Sequence, residues 1–284
     1  MTISAYACRP MRPEEAGLAL DWAAVEGWNP GLQDAAAFTA ADPEGFWLGT
    51  LDGQPAACIS AVRYDAGFGF VGFYIVRPEL RGEGLGLALW QAALAQLGGR
   101  CVGLDGVLAQ QDNYRKSGFT LAHRNIRFGS EAPVAPVQEP GIAIVPAGDI
   151  PFDAVAAYDR ICFEAPRASF LRQWLALPGH AALAALRDGA LAGYAALRPC
   201  RNGSKIGPLF ADDAAVARTL FAAAMQRRPT GPVFLDVPET NRPGVALAEA
   251  AGMAPVFETA RMYTRTPPAT DLAKVFGVTS FEFG

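Results

Sequence analysis

Phe73-Tyr74-Ile75-Val76-Arg77-Pro78-Glu79-Leu80-Arg81-Gly82-Glu83-Gly84-Leu85-Gly86 carries an apolar strand into a glycine-rich turn, and Leu87-Ala88-Leu89-Trp90-Gln91-Ala92-Ala93-Leu94 continues it with helix-favouring residues. Glycine at 82, 84 and 86 removes the Cβ atoms that stop a backbone from turning several N–H groups towards one anion. The turn stands at a helix N-terminus, where unpaired N–H groups and the macrodipole favour negative charge. Arg81 adds a positive charge, and Pro78 ends the strand by removing a hydrogen-bond donor. The stretch reads as a cradle for a diphosphate.

Two phosphate-binding designs share this logic. A dinucleotide fold places Gly-x-Gly-x-x-Gly at the start of a repeated βαβ unit with an acidic residue about 20 positions on, and Asp105 stands near that spacing. The upstream residues argue against it. Apolar runs over 46–51 and 56–63, joined by Asp52-Gly53-Gln54-Pro55, read as a hairpin, and a third run over 68–76 follows Asp65-Ala66-Gly67. Antiparallel strands do not open a Rossmann half. Nor does a Lys-Ser or Lys-Thr pair follow the glycines, which disfavours a P-loop.

Val76-x-Pro78-x-x-Arg81-Gly82-x-Gly84-x-Gly86 resembles the acetyl-CoA-binding motif of the GCN5-related N-acetyltransferases, the GNAT family. After a strand over 101–107, Asp112-Asn113-Tyr114-Arg115-Lys116-Ser117-Gly118-Phe119 is similar to that family's Asn-then-Tyr-x-x-x-Gly-Phe segment. The resemblance implies an α+β fold in α/β/α layers, acetyl-CoA as co-substrate and an amine acceptor on a small molecule or peptide. It implies cofactor contacts from the backbone of Tyr74, Ile75 and Val76, from Arg81, Gly82, Glu83, Gly84, Leu85 and Gly86, and from Asn113 and Tyr114. It also makes Tyr114 the general acid, since a phenol with a pKa of about 10 holds its proton at neutral pH and can donate it to a departing thiolate.

The carboxylate base that many family members carry on the fourth strand has no counterpart in Phe68-Gly69-Phe70-Val71-Gly72-Phe73-Tyr74. Asp105, inside the next apolar run, is the candidate catalytic carboxylate, because burial raises a carboxylate's proton affinity. A structural hydrogen-bond acceptor is the other reading, and the echo at Asp236 supports that one. Asn113 either steadies CoA or caps a helix.

The chain has 284 residues, 51% of them hydrophobic, enough to fill two cores. A net charge of −4 argues against nucleic acid or an anionic membrane as partner. Cys8, Cys58, Cys101, Cys162 and Cys200 stand singly without Cys-x-x-Cys spacing, the pattern of reduced residues in a cytoplasmic protein. His123 and His180 lie far from each other and from the cysteines, so no metal is expected. No apolar stretch approaches the ~20 residues of a membrane span, and Met1-Thr2-Ile3-Ser4-Ala5-Tyr6 does not read as a signal peptide. A monomer or homodimer is expected.

Ahead of the hairpin the pattern gives a strand over 4–8 and helices over 13–26 and 34–41. Trp22, Trp28 and Phe38 in this region either touch substrate, as the family's first helices do, or fill the core. Residues 130–141 are proline-rich with no hydrophobic period, a linker that closes a first domain at 129. The order then repeats, with a strand over 142–145, helices over 152–162 and 168–177, and a hairpin of 181–186 with 190–197. Val233-Phe234-Leu235-Asp236 echoes Val102-Gly103-Leu104-Asp105, and Ala251-Gly252-Met253 echoes Ser117-Gly118-Phe119. Arg261-Met262-Tyr263 follows its glycine much as Arg127-Phe128 follows Gly118.

This predicts two tandem domains of one fold, over 1–129 and 142–265, each a mixed, mostly antiparallel sheet flanked by helices. In the second, Pro208-Leu209-Phe210-Ala211-Asp212-Asp213 replaces the glycine loop between a strand over 205–207 and a helix over 214–225. Its carboxylates cap the helix and repel a diphosphate, so that copy is degenerate and one site works per chain. It either builds part of the acceptor cleft or stabilises the protein. The tail over 266–284 is too apolar to be free in water and packs on the body. A CoA-binding sensor or scaffold without chemistry, and a thiol-biosynthesis acetyltransferase resembling mycothiol synthase, are the alternative functions.

Overall fold

The structure, a computed structural model, describes residues 5–284; Ser4, the expected start of the first strand, and the other residues of Met1-Thr2-Ile3-Ser4 lie outside the described residues. The first half runs β1 (Tyr6–Pro10), α1 (Ala16–Val25), α2 (Asp34–Ala41), β2 (Phe46–Leu51), β3 (Gln54–Arg63), β4 (Phe68–Val76), α3 (Leu85–Gln96), β5 (Cys101–Val107), α4 (Gln111–Lys116) and β6 (Thr120–Ser130). The second half repeats that order with β7 (Ile142–Pro146), α5 (Phe152–Cys162), α6 (Ala168–Ala176), β8 (Ala181–Arg187), β9 (Ala190–Pro199), β10 (Ser204–Ala211), α7 (Ala214–Met225), β11 (Val233–Pro238), α8 (Arg242–Ala250) and β12 (Ala254–Tyr263). A short strand, β13 (Val275–Gly277), follows. The same turn chemistry closes the equivalent hairpins: Asp52 and Gly53 sit at φ 50° and 78°, Asp188 and Gly189 at 52° and 81°, the paired left-handed conformation of a tight hairpin turn.

Among the described residues one mixed sheet of thirteen strands is formed, in the order β1-β2-β3-β4-β5-β12-β6-β11-β10-β9-β8-β7, with β13 beside β10. The sheets of the two halves run together into this one. β12 lies between β5 and β6, while β6 pairs with β11, so the halves have exchanged their last strands. The exchanged strands are locked by equivalent ion pairs. Asp105 faces Arg261 across β5 and β12 and accepts from its Nε at 2.9 Å and Nη2 at 2.6 Å. Asp236 faces Arg127 across β11 and β6 and accepts from its Nε at 2.7 Å and Nη2 at 2.8 Å. Because both strands carry the same pattern, nothing local distinguishes a home pairing from an exchanged one.

Alternation along β3 sets the layers. Cys58 and Val62 point into a core under α1, α2, α5 and α6, while Ala57, Ile59 and Ala61 point into another under α3. The first of these is shared by both halves and brings Phe38, Phe73, Phe170, Trp174 and Phe283 together. Phe38 is therefore core, stacked 3.8 Å from Phe283, and Trp22 packs against the same cluster. A third core lies under α7 and α8.

The tail is built into the second half. β10 pairs with β11 only from Ser204 to Ile206, and β13 occupies the gap beyond, pairing with Leu209 and Phe210. Val278 N donates to Asp236 O at 2.8 Å on the other side. Asn241 Nδ2 lies 2.9 to 3.2 Å from the carbonyls of Leu272, Ala273 and Val275, and its Oδ1 caps α8 by accepting from Gly244 N at 2.9 Å. Residues 208–211 extend β10, pairing with β9 as far as Ala211 and Gly193, instead of forming a loop as expected. Asp212 and Asp213 alone stand where the glycine turn would be.

Two outcomes follow from this topology. Fragments 1–130 and 131–284 each lack the strand that completes their part of the sheet, so neither should fold alone, while mixing them should restore the intact protein's circular dichroism and a 1:1 species on gel filtration. A fragment folding by itself would show that the exchange is dispensable. Asn241→Ala removes a cap and the tail's clamp together and should cost about 2 to 4 kcal/mol in urea unfolding; a loss below about 0.5 kcal/mol would show that the clamp contributes nothing beyond a surface contact.

Candidate active site

β4 and β5 run parallel from the Phe68–Cys101 pair to the Val71–Leu104 pair, and there the ladder stops. A bulge in β4 accompanies the parting: Cys58 pairs with Ile75 and Ser60 with Gly72, so Phe73 and Tyr74 together oppose Ile59. Phe73 takes a φ of 49°, uncommon for a bulky residue, and its ring enters the shared core. Residues 72–76 thus present an unpaired backbone edge to the wedge between β4 and β5. A cavity of about 450 Å³ fills that wedge.

The glycine turn forms one end of the cavity. Gly84, at φ 78°, is the N-cap of α3 and supplies no side-chain cap. Among the described residues, the N–H groups of Gly82 through Leu87 donate to no protein acceptor. Six consecutive donors are left for an anion, at the positive end of a helix. The equivalent end of α7 is already satisfied, since Asp213 accepts from Ala215 N and Val216 N. Arg81 donates from Nε to Val76 O at 2.9 Å and pairs with Glu26 at the end of α1, so its charge is partnered within the protein.

Tyr114 reaches the cavity from α4. Its ring lies over Gly106, where a Cβ would fall 2.3 Å from the ring, and packs 5.6 Å from Trp90. Burial, with a smaller contribution from the Tyr74 phenol, pushes its pKa up to about 12. Tyr74, Ile75, Val76, Arg81, Gly82, Gly84, Gly86, Asp105 and Tyr114 all line this one cavity; Glu83, Leu85 and Asn113 do not. Asn113 is exposed and donates to Gln110 Oε1 at 2.7 Å. Asp105 carries, besides its two bonds from Arg261, one from Asn125 Nδ2 at 2.8 Å. Burial pushes its carboxyl upward, opposed by the Arg261 guanidinium.

The facing wall was largely hidden in the sequence. It consists of Trp28 after α1, Arg127 on β6, Phe257 and Thr259 on β12, and Phe281 and Glu282 of the tail. Only Trp28 of these had been singled out as a possible substrate contact. The Trp28 carbonyl accepts from Arg127 Nη1 at 2.9 Å and from Lys205 Nζ at 3.1 Å, which fixes that loop. Burial, with Arg127 adding, draws the Lys205 ammonium below its ordinary pKa. The Arg127 guanidinium stands 4.6 Å from the Phe281 ring centre, and Phe281 lies 6.2 Å from Phe257. The tail passes over β4 at Gly72, where a Cβ would stand 2.1 Å from the Glu282 carbonyl oxygen. An acid between two phenylalanines, Phe281-Glu282-Phe283, was the available signal; no local pattern marks Phe257 or Thr259.

Among the described residues no group of three or more His, Cys, Asp or Glu side chains is placed to hold a metal ion, and no helix is long and apolar enough to cross a membrane.

Residues 14–119 match the acetyltransferase (GNAT) family, and residues 155–277 match the acetyltransferase (GNAT) domain. The holothin acyltransferase of Pseudoalteromonas sp. (strain SANK 73390) is 32% identical over 281 residues, 98% of this chain and 95% of that protein. In fold, the chain is similar to a proposed acetyltransferase of Pyrococcus horikoshii, with a TM-score of 0.82 at 19% identity over 100% of this chain and 98% of that one. It is also similar to a tandem GNAT protein from the clavulanic acid biosynthesis pathway, with a TM-score of 0.65 at 18% identity over 91% and 98%. With both halves matched and a full-length relative above the level at which kinship is secure, the chain belongs to the GNAT family of acyltransferases, in its tandem form.

Proposed function

We propose that this chain transfers the acetyl group of acetyl-CoA to a primary amine of a small molecule by direct attack, at one site per chain. The observation that carries this reading is the set of free N–H groups from Gly82 to Leu87, in a turn whose Gly82, Gly84, Gly86 and Leu87 line the same cavity as Tyr114. Those donors suit the CoA diphosphate. The open edge of β4 over 72–76 suits the pantetheine amides and the thioester carbonyl. The thioester supplies an activated acyl group; the protein's part is to hold it in line with the amine and to manage protons.

Tyr114 donates its proton to the departing thiolate. Its raised pKa keeps the phenol protonated until that moment. We assign Asp105 to holding Arg261, and with it β12, because both its oxygens are already engaged. β13 in the gap and Asp213 on the helix end argue against the second wedge as a site. Since the full-length relative is named for holothin, that compound is the first acceptor to assay, followed by a panel of primary amines.

Release of CoA thiol from acetyl-CoA, dependent on added amine, is the test of this function; stoichiometric binding without release for any amine would leave the sensor reading standing. Tyr114→Phe should lower kcat about 100-fold while changing the acetyl-CoA Kd less than about threefold. Full turnover in that variant would remove Tyr114 from the mechanism. Gly84→Val forces a branched side chain into left-handed backbone and should weaken acetyl-CoA binding at least about 100-fold by calorimetry; retained affinity would place the diphosphate elsewhere.

A further inference from the structure

Six acidic residues are buried among the described residues: Asp34, Asp42, Asp159, Glu164, Asp236 and Glu282. Five of them contact an arginine, Asp34 with Arg198, Asp42 with Arg63, Asp159 with Arg167, Glu164 with Arg261 and Asp236 with Arg127. Glu282 differs. Among the described residues no Lys, Arg or His nitrogen comes within 4.0 Å of its carboxylate, although it is only 4% exposed. Among the described residues its carboxylate takes a hydrogen bond only from Ser280 Oγ, which donates to Oε2 at 2.8 Å and itself accepts from Glu282 N at 3.1 Å.

A buried carboxylate with no directly bonded cation keeps lone pairs free for a cationic ligand. Glu282 lines the cavity, so such a ligand can reach it. No nearby cation among the described residues bonds it directly: Arg127 pairs with Asp236 and the Trp28 carbonyl, Lys205 donates to the same carbonyl, and Arg198 holds Asp34 and the Thr279 carbonyl, so these three act on Glu282 only through longer-range charge. The same cavity is lined by Phe281, Phe257 and Trp28, and by Thr259, whose buried hydroxyl has no hydrogen-bond partner among the described residues. β4 offers no carboxylate of its own over 68–76, and Gly72 leaves the space through which the tail brings one.

We infer that this wall is the acceptor subsite, that it takes a primary ammonium borne on a flat aromatic body, and that Glu282 receives the ammonium and takes up its proton. The inference deepens the acyl-transfer reading and rests on it for the chemical step. A proton passes from the ammonium nitrogen to the Glu282 carboxylate and frees the lone pair. That nitrogen forms the C–N bond to the acyl carbon, the C–S bond breaks with its electron pair going to sulfur, and sulfur takes the Tyr114 proton. The amide nitrogen's surplus proton restores the Tyr114 phenol, and the proton on Glu282 leaves to solvent, so the products are amide, CoA thiol and one proton.

Isothermal titration of the full chain with 2-phenylethylamine and its neutral isostere 2-phenylethanol tests the subsite without turnover. Wild type should bind the amine at least about tenfold more tightly than the alcohol. Glu282→Gln, which keeps the volume and the Ser280 contact, should abolish that preference, and Glu282→Asp, which keeps the charge, should retain it. Equal affinity for the two probes in wild type, failure of both to bind, or a preference that survives in Glu282→Gln would overturn the inference. CoA release from acetyl-CoA with 2-phenylethylamine should fall about 100-fold in Glu282→Gln, and an unchanged rate would overturn the proton-accepting role. An intact, Glu282-dependent amine preference in a protein that releases no CoA with any amine would uphold the subsite and overturn the acyl-transfer reading alone.

Discussion

Two buried aspartate–arginine pairs join each half of this molecule to the other half's last strand, and the composition of the cavity depends on them. Each is bidentate and lies across directly opposed residues, Asp105 with Arg261 and Asp236 with Arg127. Such pairs contribute less to stability than their Coulomb attraction suggests, because both charges are desolvated, but an unmatched member is costly. They therefore act as register keys. A slip of one residue in β12 would turn Arg261 to the opposite face and leave Asp105 alone. With Arg261 fixed, Thr259 falls two residues on, facing the same side, and Phe257 follows it to the cavity rim.

The repeat is used asymmetrically. Both halves open a wedge where two parallel strands part, after Val71 in one and after Ile206 in the other. In the first the wedge stays open, and the helix behind it begins with glycine and unclaimed donors. In the second a side chain has claimed the donors and the gap is filled by β13. A helix end serves an anionic ligand only while nothing intramolecular has satisfied it. The segment that closes the second wedge then continues across Gly72 into the wall of the first. The inactive copy is thus an anchor for the strand and tail that complete the active one.

Much of the fold was legible because its signals are local. The Asp-Gly turns, the helix over 152–162 and the glycine turn before α3 depend on neighbours in sequence, and they form where the pattern placed them. Strand exchange was not legible, since β6 and β12 carry the same arginine at the same place and either pairing satisfies both. The echo between Asp105 and Asp236 was visible, and the structure gives its meaning as equivalent arginine partners. In the cradle, Glu83 and Leu85 are outside the cavity lining and offer only free backbone N–H groups, and the Asn113 amide bonds Gln110 within its own helix region. Glu282 was obscured because a single acid in an apolar tail carries no spacing to read; its environment, set by contacts over 200 positions away in sequence such as Tyr64 with the Phe283 carbonyl, distinguishes it.

Exchange of the last strands also imposes an order on assembly. Synthesis at about 5 to 20 residues per second delivers β5 and β6 many seconds before β12 emerges. During that interval β5 has a bare hydrogen-bonding edge, the kind of surface that recruits another chain. The glycine turn and its helix lack their completed sheet until β12 arrives, and the wedge has nothing on its far side before then. Maturation of the site is therefore a late, cooperative event coupled to closure of the whole sheet.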